Sequence, residues 1–253
     1  MSGGTNSGGV AELGRAAQAP LLRARGLGRS YDDFVALTNL SLEVGGGELI
    51  ALVGPNGAGK TTFLTLAAGL LEPTSGAVEI DGAPAGSIPA RRALSYVPDT
   101  PVFYEDVSLG EQLGYVAALH GVERIEERIA FLLERLGLAE WEDALPGEFS
   151  RGMRQKASIA LGLVRPFSLL LADEPLDGLD PPSREVFFEL VAEARAAGAA
   201  VVISTHRPDV IAAASRCLGI REGRLVYDGA PDPAAIEEFF EYTVADRAAA
   251  DER

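Results

Sequence analysis

The chain has 253 residues, 47% of them hydrophobic, and a formal net charge of -15. That length suits one large α/β domain or two small ones with a sizeable core, and the acidity argues against a nucleic-acid binder, which carries a basic face. A single cysteine, Cys217, excludes an intrachain disulfide and reads as a small buried thiol.

The chain opens on MSGGTNSGGVAELGRAAQAP, rich in Gly, Ser and Ala, and residues 1–19 are expected to be a disordered tail. This stretch lacks the basic start and apolar core of a signal peptide. No apolar run approaches the roughly 18 residues of a membrane helix, so the expectation is a soluble, cytoplasmic protein.

Strand-like segments then alternate with helical ones. LLRARGL (21–27) and LSLEV (40–44) read as strands, and ELIALVG (48–54) as a short buried parallel strand ending in glycine. A helix is expected from Lys60 to about Leu70, followed by strands at GAVEIDG (76–82) and ALSYV (93–97). From Ser108 to Val164 the rhythm changes. Ile125, Ile129, Leu132, Leu133 and Leu136 mark one helical face, and Trp141 and Phe149 are expected to pack inside this region. SLLLADE (168–174), AAVVIST (199–205) and shorter runs at 217–220 and 224–228 restore the strands, with a helix over Ser183–Ala197. The order predicts an α/β fold, a mixed sheet flanked by helices and interrupted by a helical insert at about 100–165. Ile236, Phe239, Phe240 and Val244 then predict a C-terminal helix in 231–253, frayed at its end.

GPNGAGKTT places Gly54, Pro55, Asn56, Gly57, Ala58, Gly59, Lys60, Thr61 and Thr62 between a predicted strand and a predicted helix. This is the spacing and context of a P-loop. Glycines let backbone N–H groups converge on phosphate oxygens with no Cβ in the way. Lys60 suits the β/γ-phosphates and the Thr61 hydroxyl suits Mg²⁺. Of 22 basic residues only Lys60 and Lys156 are lysine, and a compact ammonium fits among phosphates where a planar guanidinium does not. Lys156 reads as part of a solvated helix face.

Asp173 ends an apolar strand and suits Mg²⁺ through water. Glu174 follows, placed to polarise an attacking water. His206 ends AAVVISTH, another strand delivering its C-terminal end to a ligand crevice, and suits a γ-phosphate contact. His120, the other histidine, reads as a surface or core residue. Ser150 stands just before Met153, Ala157, Ala160, Leu161 and Val164 at helical spacing, as an N-cap would. A helix start can hold an anion, so the chain carries a second phosphate cradle.

Together these residues resemble the nucleotide-binding subunit of an ABC (ATP-binding cassette) transporter. The resemblance spans about residues 20–230. It rests on GPNGAGKT, the Walker B strand LLLADE, the D-loop DGLD (177–180), the histidine of STH, and FSRGM (149–153) in place of the commoner LSGGQ signature. It implies ATP and Mg²⁺ as ligands, an adenine stacked on Tyr31, Glu174 as general base, and two ATPase subunits facing head to tail. Ser150 and Gly152 would then grip the γ-phosphate of the partner's ATP, and Asp180 would help form the seam. It also implies a separate transmembrane permease subunit, and so a peripheral position on the inner face of the cell membrane.

Two departures stand out. Arg151 and Met153 replace the signature's usual Gly and Gln, while Ser150 and Gly152 are kept. In SYVPDTPVFYED (95–106), Asp99 stands where the family has a Gln that touches Mg²⁺ and the attacking water. An ionised Asp accepts hydrogen bonds but donates none, and it could still reach Mg²⁺ or its water shell. Both departures resemble the ABC-2-type exporter branch. The family's permease groove would fall near Asp99–Gln112, with Phe103 and Tyr104 as contact or core candidates. The alternative is a soluble ABC-type ATPase in cofactor assembly, which keeps the same motifs. A ribosome-associated factor is disfavoured by the single cassette and the acidity, and a P-loop kinase by the signature, D-loop and STH in order. Whether the dimer is of one chain or two is open.

Overall fold

A computed structural model describes residues 19–232. The expected N-terminal tail before residue 19 and the C-terminal helix within 233–253 lie outside the described residues.

Among the described residues ten strands form two sheets. A four-stranded antiparallel sheet runs in the order β2-β1-β4-β5, from β1 (Leu22–Tyr31), β2 (Phe34–Val44), β4 (Ser75–Ile80) and β5 (Ala83–Pro84). A six-stranded sheet runs β10-β9-β3-β8-β7-β6, from β3 (Leu49–Val53), β6 (Leu94–Val97), β7 (Leu169–Asp173), β8 (Ala200–Ser204), β9 (Arg216–Arg221) and β10 (Arg224–Gly229). Only the β9–β10 pair is antiparallel in this second sheet, so it is mixed, as expected.

The parallel strands are uniformly apolar because both their faces are covered. Successive side chains of a strand point to opposite faces, and here they enter two separate cores. Leu49, Ala51 and Val53 of β3, Leu170 and Ala172 of β7, and Val201 and Ile203 of β8 pack in one core. That core is shared with α3 (Leu109–Leu119), α4 (Ile125–Leu136), α5 (Arg151–Leu163) and α6 (Pro181–Ala196). The alternate residues Ile50, Leu52, Leu169, Leu171, Ala200 and Val202 face the other core, with the antiparallel sheet and α1 (Lys60–Ala67). Each fully buried leucine or phenylalanine contributes about 1.5–3 kcal/mol, so this two-faced sheet holds the strand ends rigidly.

The face predicted for α4 is the one buried: Ile129, Leu132, Leu133 and Leu136 are core residues, and Ile125 packs against them. Ser108 caps α3 through a reciprocal pair with Glu111. Phe149 is buried as expected, but Trp141 is exposed, against the expectation, and its ring meets that of Phe149 edge to face at 6.3 Å. Several elements differ from expectation. β2 begins at Phe34 rather than Leu40, because bulges and a left-handed Asn39 (φ 50°) break its alternation. α1 stops at Ala67, short of Leu70. The short helices α2 (Ile88–Ala93) and α7 (Pro208–Ala213) are too brief to show a period.

Candidate nucleotide site

β3, β8 and β7 lie side by side and parallel, so their C-terminal ends open on one crevice. β3 leads into the glycine loop, β7 ends in Asp173, and β8 is followed by Thr205 and His206. The crevice has a volume of about 360 Å³ and is lined by the loop from Asn56 to Thr62 together with Phe34, Asp99, Asp173 and Glu174.

The loop's glycines are required by its geometry. Gly54 (φ 155°) and Gly59 (φ 108°) have left-handed backbones, and a Cβ on Gly54 would sit 2.2 Å from the Ile220 carbonyl oxygen. Gly59 precedes α1 with no side-chain cap, so the first-turn N–H groups of that helix stay open to an anion. Lys60 is buried, and its Nζ donates to the carbonyls of Gly54 at 2.7 Å and Pro55 at 3.3 Å. Burial pulls the Lys60 ammonium down, and Glu174 and Asp173 raise it. Thr61 is exposed and Thr62 half-buried.

Asp173 is 1% exposed. Ser204 Oγ donates to Asp173 Oδ1 and accepts the Glu174 N–H at 3.0 Å. Asp173 Oδ2 is buried and has no hydrogen-bond partner among the described residues. Asp173 lines the crevice together with Thr61 and Asp99, and oxygen donors of this kind suit Mg²⁺. Glu174 sits at φ 43°, a strained value for this residue type. Its Oε2 lies 3.2 Å from His206 Nδ1. Burial pushes the Glu174 carboxyl up, and His206 and Lys60 pull it partly back. Burial, Asp173 and Asp177 push Asp99 up, and Arg151 pulls it back.

The residues predicted from the sequence do not all meet here. Pro55, Gly54 and Lys60 belong to the loop, while His206 joins the crevice through Glu174. Tyr31 does not line it: its ring is covered by the Arg29 guanidinium at 4.4 Å. Phe34, its partner across the hairpin and 60% exposed, is the aromatic that does. Ser150 is the N-cap of α5, as expected, and accepts from the Met153 N–H at 3.3 Å. Neither Ser150 nor Gly152 lines the crevice of its own chain. Gly152 has a local reason as well, since a Cβ there would lie 3.0 Å from the Gly178 carbonyl oxygen. Asp180 caps α6, accepting from the Ser183 N–H at 2.8 Å. Lys156 is not on a solvated face: its side chain is 17% exposed and pairs with Asp180 at 3.6 Å.

A glycine cradle on a helix start, a buried acidic strand end and an adjacent Glu–His pair define a P-loop nucleoside triphosphatase. The ABC transporter family profile matches residues 37–177. The chain is 33% identical over 211 residues to the SkfA peptide export ATP-binding protein SkfE of Bacillus subtilis (strain 168), spanning 82% of this chain and 88% of that protein. Its fold matches an ATP-binding subunit of an ABC transporter with a TM-score of 0.79 at 33% identity, covering 83% of this chain and 90% of that one. The ATP-binding cassette MJ0796, solved as a post-hydrolysis dimer with ADP and Pi, shares the fold at a TM-score of 0.76 and 23% identity, over 83% of this chain and 99% of that one. The chain therefore belongs to the ABC transporter family, as an ATP-binding and ATP-hydrolysing subunit. No helix among the described residues is long and apolar enough to cross a membrane.

Proposed function

We propose that this chain is the ATPase of an ABC-2-type exporter, working as a head-to-tail dimer beneath a separate membrane-spanning permease. One observation carries the dimer: Ser150 and Gly152, the signature residues, lie outside the crevice lined by the chain's own glycine loop. A phosphate cradle with no nucleotide of its own suits a second subunit's ATP, whether that subunit is the same chain or a companion.

In this reading residues 54–62 hold the phosphates, with Lys60 neutralising them and Phe34 or Tyr31 against the adenine. Thr61, Asp173 and Asp99 would hold Mg²⁺, which when bound neutralises phosphate charge. Glu174 takes a proton from the attacking water. His206 orients Glu174 and the γ-phosphate. Residues 100–165 form a helical subdomain within the ATPase domain of 20–230.

Export is supported by the peptide-export name of the Bacillus relative. Attachment to a permease is supported by an apolar groove of about 710 Å³ lined by Val102, Phe103, Tyr104, Val107, Tyr115 and Leu161. Val102 and Tyr104 there are 79% and 66% exposed, which suits a peripheral position on the inner membrane face. Light scattering of Glu174→Gln with and without MgATP tests the dimer. Doubling of mass on adding MgATP is expected. A monomer at saturating ATP, both alone and in extract of its source cells, would overturn it.

A further inference from the structure

Gln155 is a polar residue on the buried side of α5, 4% exposed. Its Nε2 donates to the Pro175 carbonyl at 3.0 Å. Burying an amide costs free energy unless it is hydrogen-bonded, so this contact is required by the fold of the helix. Pro175 is buried too, and a proline has no N–H. Its carbonyl is thus the only backbone hydrogen-bonding group by which the residue after Glu174 can be gripped.

That stretch of chain is under strain. Glu174 sits at φ 43°, and a backbone of this kind persists only where its surroundings over-determine it. The peptide is held from β8, from the D-loop and from α5. On the β8 side, the Glu174 N–H donates to the Ser204 carbonyl at 3.2 Å and to Ser204 Oγ at 3.0 Å. In the D-loop, the Asp177 N–H donates to the Glu174 carbonyl at 3.1 Å. From α5 the grip is the Gln155 amide on the Pro175 carbonyl.

α5 meets the same loop at further points. A Cβ on Gly152 would lie 3.0 Å from the Gly178 carbonyl oxygen, and Lys156 pairs with Asp180 at 3.6 Å. These contacts hold the helix start beside the D-loop by themselves, so the share of the Gln155 amide can be isolated by substitution. Gln155 does not line the nucleotide crevice.

We propose that Gln155 is a positioning residue for hydrolysis: its amide fixes the Glu174–Pro175 backbone, so that the Glu174 carboxylate stays aimed at the water it activates. The helix capped by Ser150 then also braces the base of its own chain. This inference rests on the reading of Glu174 as general base and goes beyond it, since it assigns the group that holds that base in place.

Two substitutions test it. Gln155→Met keeps the length of the side chain and loses the donor, and Gln155→Asn keeps the amide but is one methylene too short for Pro175. Each should lower kcat about tenfold, less than the hundredfold that a displacement of about 1 Å can cost. The dissociation constant of MgATP, read by calorimetry, should stay within about twofold of wild type, which also checks that the site is folded. In the Glu174→Gln background, single-turnover hydrolysis should fall less than about 1.5-fold further on adding Gln155→Met, because the group that Gln155 positions is already gone. An equal loss in both backgrounds would overturn the proposal, and so would loss of MgATP binding in both variants, which would assign Gln155 to the fold alone. Unchanged kcat in Gln155→Met beside an impaired Glu174→Gln would overturn this proposal and leave the reading of the base intact. Full turnover in Glu174→Gln would sink that reading, and this proposal with it.

Discussion

His206 Nδ1 lies 3.2 Å from Glu174 Oε2 across the ends of two neighbouring strands, β8 and β7. Burial raises the Glu174 carboxyl, and His206 is the first of the groups that pull it back. As the proposed general base Glu174 works only when ionised, so activity is expected to fall as pH drops through this raised value. Removing His206 removes a group that favours the ionised form. His206→Ala should therefore shift the acid limb of the ATPase pH profile to higher pH, besides lowering kcat. A steady-state profile from pH 5 upward checks this, and an unshifted limb would separate the two residues.

Glu174→Gln keeps the shape of the site and loses the base. Turnover should fall by about 10² to 10⁴, the usual contribution of general base catalysis. ATP affinity should stay within a few-fold of wild type. Single-turnover hydrolysis with parallel filter binding measures both.

Lys60→Ala acts on binding itself. The ammonium is buried among carbonyls of the phosphate loop. Loss of charge-assisted hydrogen bonds should weaken ATP binding about tenfold or more, as read by a fluorescent nucleotide titration.

Ser204 holds the two acidic residues in register, donating to Asp173 and accepting from the Glu174 N–H. Ser204→Ala leaves the buried Asp173 Oδ1 without this partner, while the Glu174 N–H keeps the Ser204 carbonyl at 3.2 Å. Stability should fall by about 1–3 kcal/mol, measured by urea unfolding, with a weaker response of activity to Mg²⁺.

Phe34 and Tyr31 face each other across the β1–β2 turn, but only Phe34 lines the crevice. Phe34→Ala should weaken ATP binding about fivefold, for a stacking loss of about 1 kcal/mol. Tyr31→Ala should have the smaller effect. The reverse order would return the adenine to Tyr31.

The part of the site made from contiguous residues is legible in the sequence. GPNGAGKTT, LLLADE and STH each combine a strand end with its ligand-facing residues, so spacing alone carries the chemistry. Ser150 as an N-cap is legible for the same reason. What the sequence hides lies in contacts between distant segments. Phe34 reaches the crevice through a hairpin whose bulges mask the strand's alternation. Lys156 reads as solvated until α5 is packed on the D-loop. Arg151 and Asp99 are 52 positions apart by number, and only folding of the helical insert against the sheet brings them to one recess.

The most direct test of the central claim is to purify tagged Glu174→Gln, locked with ATP in mild detergent, from the membranes of its own source. A multi-spanning membrane protein recovered in stoichiometric amount is the predicted result, and its cavity would lead to the exported substrate. Recovery only in the soluble fraction, with soluble proteins, would contradict the transporter reading and favour an assembly ATPase.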